Sequence, residues 1–87
     1  MKTIWKFNIP ITDEVDIIMP RLSRILSVAE AGFASLSVWA LVDPDMPRTS
    51  RKFYIYGTGH PAPHADTQIY VGTVPMTNGL VFHLFRE

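Results

Sequence analysis

Phe33-Ala34-Ser35-Leu36-Ser37-Val38-Trp39-Ala40-Leu41-Val42 alternates with the period of a β-strand. The even positions Ala34, Leu36, Val38, Ala40 and Val42 form an apolar file, with Ser35 and Ser37 opposite. Trp39 and Leu41 then make the second half apolar on both sides. That pattern predicts a central strand, or one covered by a partner. Before it, Glu30-Ala31-Gly32 reads as a short glycine-containing hairpin turn. After it come Pro44 and Pro47, which exclude a regular element over 43–47.

The segments on either side repeat the same period. Trp5, Phe7 and Ile9 alternate with Ile4, Lys6 and Asn8, and Val15, Ile17 and Met19 alternate with Glu14 and Asp16. Arg24 to Glu30 fits one helical turn or a strand, and its length between turn signals favours the strand. In Arg51 to Tyr56, Phe53 and Ile55 share one face, and Lys52, Tyr54 and Tyr56 share the other. Thr67 to Val74 is a further strand in which Gly72 marks a bulge or a close backbone approach. Asn78-Gly79 is a hairpin signal leading into Leu80 to Phe85, apolar on both faces apart from His83. Six or seven short strands joined by turns predict an all-β domain, a mostly antiparallel sandwich or barrel over residues 1–87.

Eighty-seven residues make one domain with a thin margin of burial, and the chain has no cysteine to reinforce it. Self-association is the expected route to more burial, so a homo-oligomer is anticipated. Eight basic residues balance eight acidic ones, giving a net charge of zero. That balance disfavours a nucleic-acid polymer as partner, which would call for a basic excess. Asn8, Pro10 and Asp13-Glu14 interrupt the N-terminal apolar residues, so neither a secretion signal nor a membrane span is expected.

Tyr54-Ile55-Tyr56-Gly57-Thr58-Gly59-His60 carries the chemistry available to sequence reasoning. Its glycines suit either an anion-holding nest or a tight turn off a strand. The prolines that follow prevent a helix from starting there, which favours the turn. Pro61 and Pro63 also deny His60 and His64 the helical spacing of a zinc pair, so no metal site is expected. No serine lies in a nucleophile-elbow pattern, and catalysis is not expected. From Met46 to Ala65 there is no acid, yet Arg48, Arg51, Lys52, His60 and His64 interleave with Phe53, Tyr54 and Tyr56. Cations beside aromatic faces suit an anionic ligand or an acidic protein surface.

Six collinear blocks carry a family resemblance: MKTIWKFNIP at 1–10, ILSV at 25–28, WALVDP at 39–44, YGTGHP at 56–61, YVGTV at 70–74 and GLVFHLF at 79–85. Together they resemble a family of short, functionally uncharacterised proteins encoded by bacteriophages and prophages. The resemblance implies an accessory gene product acting in the cytoplasm of the bacterial host. It implies no activity, cofactor or site residue.

The expectation that follows is a non-enzymatic protein that binds a host protein or a small anionic ligand through the surface around residues 46–65. A counter-defence role is its sharper form. Pairing of strands 33–42 and 51–56 would gather Trp39, Arg51, Tyr54, Tyr56 and His60 near one end of the sheet, and Gly57 and Gly59 of the adjoining loop complete the expected contact surface. No cofactor is expected. The alternative is a minor virion or assembly component acting through oligomerisation of strands 37–42 and 80–85.

Overall fold

A computed structural model describes every residue from Met1 to Glu87. The strands are β1 (Thr3–Pro10), β2 (Glu14–Pro20), β3 (Arg24–Glu30), β4 (Ser35–Val42), β5 (Arg48–Gly57), β6 (Ile69–Pro75) and β7 (Val81–Arg86). A 3₁₀ turn at Ala65–Thr67 takes up Thr67, expected to begin the sixth strand, which starts at Ile69 instead. The fifth strand begins three residues earlier than its aromatic alternation indicates, because Arg48 to Ser50 pair with β2. No helix is long and apolar enough to cross a membrane.

All pairings are antiparallel, and the strands form two sheets of order β1-β4-β3 and β2-β5-β7-β6. The sheets pack as a sandwich. β4 is central in its sheet, as its two-sided apolar sequence predicts, and Leu36, Val38, Ala40 and Val42 are buried. Leu36 and Val38 join Ile17, Met19, Phe53, Ile55, Val74 and Leu84 of the opposite sheet in one core cluster. Full burial of a side chain such as Phe53 contributes roughly 2–3 kcal/mol, so the core rests on few residues.

The two sides of the sandwich close differently. At one side the edge strands β3 and β6 face each other, and each carries a bulge, between Ile25 and Ser27 and between Tyr70 and Gly72. Bulges increase local twist and bend an edge strand, which turns these two edges toward one another. Gly72 serves the close approach. A β-carbon there would meet Val28 Cγ1 at 2.8 Å. Beyond them, Glu30 accepts hydrogen bonds from the Thr77 amide (3.1 Å) and hydroxyl (3.0 Å), tying β3 to the β6–β7 turn. At the other side Ile11 N–H donates to the Ala34 carbonyl, and Ile55 N–H to the Asp13 carbonyl.

The topology corrects one expectation. Strands 33–42 and 51–56 lie in different sheets and do not pair. Trp39 stands between Lys6 and Ser27 on the outer face of one sheet. Tyr54 and Tyr56 stand on the outer face of the other, opposite Phe85 and His83. The 43–47 segment crosses between the sheets instead of forming a hairpin within one, because β4 is already paired on both edges.

Candidate functional site

Parity decides where Arg51 points. It shares a face with Phe53 and Ile55, which are buried, and so lies on the inner side of its sheet. β7 pairs with β5 only from Phe53 onward, where Arg86 is its partner. Arg51 and Thr49 therefore project past the end of β7, at the open end of the sandwich. The β2–β3 turn closes over this end and supplies Arg21, Leu22, Ser23 and Arg24. Together with Arg86, these residues line an open cleft of about 570 Å³.

The turn is held firmly. Arg21 N–H donates to the Pro47 carbonyl at 2.7 Å, and the Ser23 hydroxyl donates to the Pro20 carbonyl at 2.6 Å. Arg51 Nη1 donates to the Ser23 carbonyl at 3.0 Å, and Arg86 Nη1 to the Glu87 backbone oxygen at 3.0 Å. Leu22, between the first two arginines, is 76% exposed and adopts φ 64°. A left-handed leucine costs about 1–2 kcal/mol, so the turn displays an apolar side chain at a backbone penalty.

No side-chain carboxylate forms an ion pair with the cleft arginines, and Glu87 is the acid close enough to act on Arg51. The ion pairs of the molecule are Lys52–Glu14 and the Met1 amino group with Asp43 and Asp45. No aspartate or glutamate side chain pairs with Arg21, Arg24, Arg51 or Arg86. Burial pushes the Arg51 guanidinium below its ordinary value, the Arg86 charge lowers it further, and Glu87 opposes both. An anion in the cleft would relieve the mutual repulsion and replace lost hydration with charge-assisted hydrogen bonds.

The same turn borders a second cavity of about 280 Å³. Lys2, Arg21, Leu22 and Arg24 line it together with Leu41, Val42, Asp43 and Met46. Asp43 is engaged there, accepting the Asp45 amide at 3.1 Å.

A different constellation lies on the outer face of the four-stranded sheet. Tyr56 and Tyr70 each meet Phe85 edge-on at 5.5 Å. Tyr56 donates to Gln68 Oε1 at 2.7 Å. A line of hydroxyls passes through an imidazole: Tyr70 Oη to Thr73 Oγ1 (2.6 Å), Thr73 Oγ1 to His83 Nδ1 (2.9 Å), and His83 Nε2 to Thr58 Oγ1 (2.7 Å). These groups satisfy one another, so the network clips β5, β6 and β7 together across the sheet.

The residues anticipated from sequence therefore divide. Arg51 enters the arginine cleft. Tyr54 and Tyr56 join the aromatic face, where partial desolvation and the Glu87 and Glu14 carboxylates raise the Tyr54 hydroxyl above its ordinary value. Gly57 and His60 lie at the opposite end of β5, with the His60 ring against Gly57, where an added β-carbon would meet Nδ1 at 3.0 Å. Gly59 adopts φ 85° within that turn. Trp39 is on the far sheet. Of the basic residues flanking Arg51, Arg48 packs over the Trp5 ring at 5.3 Å, and Lys52 pairs with Glu14 at 3.4 Å. That pairing raises Lys52 above its ordinary value, first through the hydrogen bond and then through the Glu14 charge.

Sequence reasoning missed Arg21, Arg24 and Arg86. The parity of Arg51 with Phe53 was the available signal that its side chain leaves the tyrosine face. Nothing local announces Arg86, which reaches the cleft only through the β5–β7 register.

Fold and cleft define a small antiparallel β-sandwich with an arginine-lined opening at one end. The chain belongs to the family described as a domain of unknown function (DUF7352), whose model matches residues 1–87. No curated protein and no solved structure matches it.

Proposed function

We propose that this protein is a non-enzymatic binding protein whose ligand is a small anion held among Arg21, Arg24, Arg51 and Arg86. One observation carries the reading: four arginines line one open cleft and none of them forms an ion pair with an acidic side chain. Guanidinium groups present planar, fixed donors that match phosphate and carboxylate oxygens two at a time. Leu22 is the one apolar residue of the lining, and no aromatic ring is present. Recognition there is of charge and oxygen geometry, not of a stacked base.

The cleft lacks the parts of a catalytic centre. Its hydroxyls come from Ser23, already donating to Pro20, and from Thr49, and neither has a general base beside it. The resemblance to short bacteriophage and prophage proteins is in keeping with binding in the cytoplasm of a bacterial host. Sequestration of an anionic host molecule, as in counter-defence, is the role that such a site suits.

A second reading is supported by the outer face of the β1-β4-β3 sheet. Ile4 and Leu26 are 57% and 39% exposed there, on the same face as Trp39 and Leu41. An apolar sheet face of this kind fits self-association, as in an assembly component. Light scattering separates the two: a defined oligomer lost in Trp39→Ser, with no response to anions, would favour assembly.

The binding reading is tested by thermal unfolding in phosphate or sulfate against chloride at matched ionic strength. Phosphate is expected to raise Tm in a saturating manner in the wild type and not in an Arg24→Gln/Arg86→Gln double variant. Equal shifts in both proteins would refute it.

A further inference from the structure

We infer that the natural ligand is an amphiphilic anion, with its charged group on the four arginines and a short apolar portion in the adjoining cavity. This rests on the anion-binding reading of the cleft and adds the chemistry of the rest of the ligand.

The two cavities share the 21–24 turn as a common wall, since Arg21, Leu22 and Arg24 line both. The arginine cleft is polar apart from Leu22. The second cavity supplies what the first lacks, a lining that includes the apolar residues Leu41, Val42 and Met46. Its volume of about 280 Å³ suits a chain of a few carbons or a small ring, not a whole drug-sized molecule. Its acid, Asp43, is turned to the Asp45 amide and the Met1 amino group, so it does not stand unpaired against an incoming anion. Lys2 adds a further cation on that side.

Leu22 is the independent pointer. A leucine at φ 64° is unfavourable for the backbone, and at 76% exposure its side chain leaves most of its apolar surface to water in the free protein. Asparagine or glycine would hold the same turn without either penalty. The residue sits on the wall between the charged and the apolar cavity, where an apolar segment passing from one to the other would cover it. A purely inorganic anion would leave it bare.

Titration calorimetry with inorganic phosphate, hexyl phosphate and hexanol tests this. Hexyl phosphate is expected to bind at least about tenfold more tightly than inorganic phosphate, the gain expected from burying a few methylenes. Hexanol alone is expected not to bind measurably. Met46→Gln should remove most of the gain and leave the affinity for inorganic phosphate unchanged. Leu22→Asn, which keeps the left-handed turn, should also shrink the gain of hexyl phosphate over inorganic phosphate, so that a folding defect in one variant does not decide the matter. Equal affinity for the two phosphates would overturn the amphiphile and leave the anion site standing. Binding of neither would overturn both. Binding of hexanol as tightly as hexyl phosphate would overturn the joined site, since the arginines would then contribute nothing.

Discussion

Arg51 Nη1 donates to the Ser23 carbonyl at 3.0 Å, and this bond joins the centre of the four-stranded sheet to the turn that opens β3. Ser23 is only 6% exposed, so its carbonyl has little access to water as a substitute. Arg51→Met is therefore expected to cost about 1–3 kcal/mol in urea unfolding, the penalty for an orphaned buried acceptor. Arg86→Gln behaves differently. It removes a like charge from the cleft and should leave stability within about 0.5 kcal/mol of wild type, or raise it, in phosphate-free buffer. The two arginines would then be separable, one holding the cleft together and the other held there for its charge.

Gly72 is the hinge of the sandwich closure. With Val28 Cγ1 at 2.8 Å from any added β-carbon, Gly72→Ala should destabilise by about 1–3 kcal/mol. Val28→Ala removes the obstructing methyl, and the double variant should recover part of the loss. A double-mutant cycle by urea unfolding reads the coupling directly, and strict additivity would show that the contact is not the cause.

Leu22→Gly should raise stability by roughly 1 kcal/mol by relieving the left-handed backbone. A loss of stability of the same size would mean that Leu22 makes contacts in the free protein that outweigh its strain.

Stability should fall as pH rises above 10, with Glu14 contributing to the slope. Lys52 and Tyr54 both titrate above their ordinary values of 10.5 and 10.0 in the folded chain. Each group holds its proton more tightly when folded, so its contribution is present below the ordinary value and is lost as pH rises through the folded one. Glu14 raises both, through its bond to Lys52 and its charge near Tyr54. Glu14→Gln should therefore flatten the alkaline limb of a stability–pH curve and leave the neutral region nearly unchanged, since the pair is exposed.

The fold was legible because period-two alternation survives in most strands and is interrupted in β3 and β6 by a bulge. Phe53 and Ile55, Val15 to Met19 and the file from Leu36 to Val42 all bury the face their spacing indicates. The pairing of strands was not legible. The connection after Val42 reads like a hairpin from either end, and only occupation of both edges of β4 forces β5 into the other sheet. The same gap scattered the candidate site. The basic and aromatic residues of 46–65 are neighbours in sequence, but alternation sends Arg51 inward and Tyr54 and Tyr56 outward. The arginine cleft draws on β2–β3, β5 and β7, so its composition depends on contacts between segments far apart in the chain.

Isothermal titration of phosphate into the wild type and into Arg24→Gln and Arg86→Gln tests the arginine cleft most directly. The expected result is one saturable site in the wild type, weakened on the order of tenfold or more by each substitution, as loss of a charge-assisted hydrogen bond implies. Affinity unchanged by either substitution, or no saturable binding in the wild type, would contradict it.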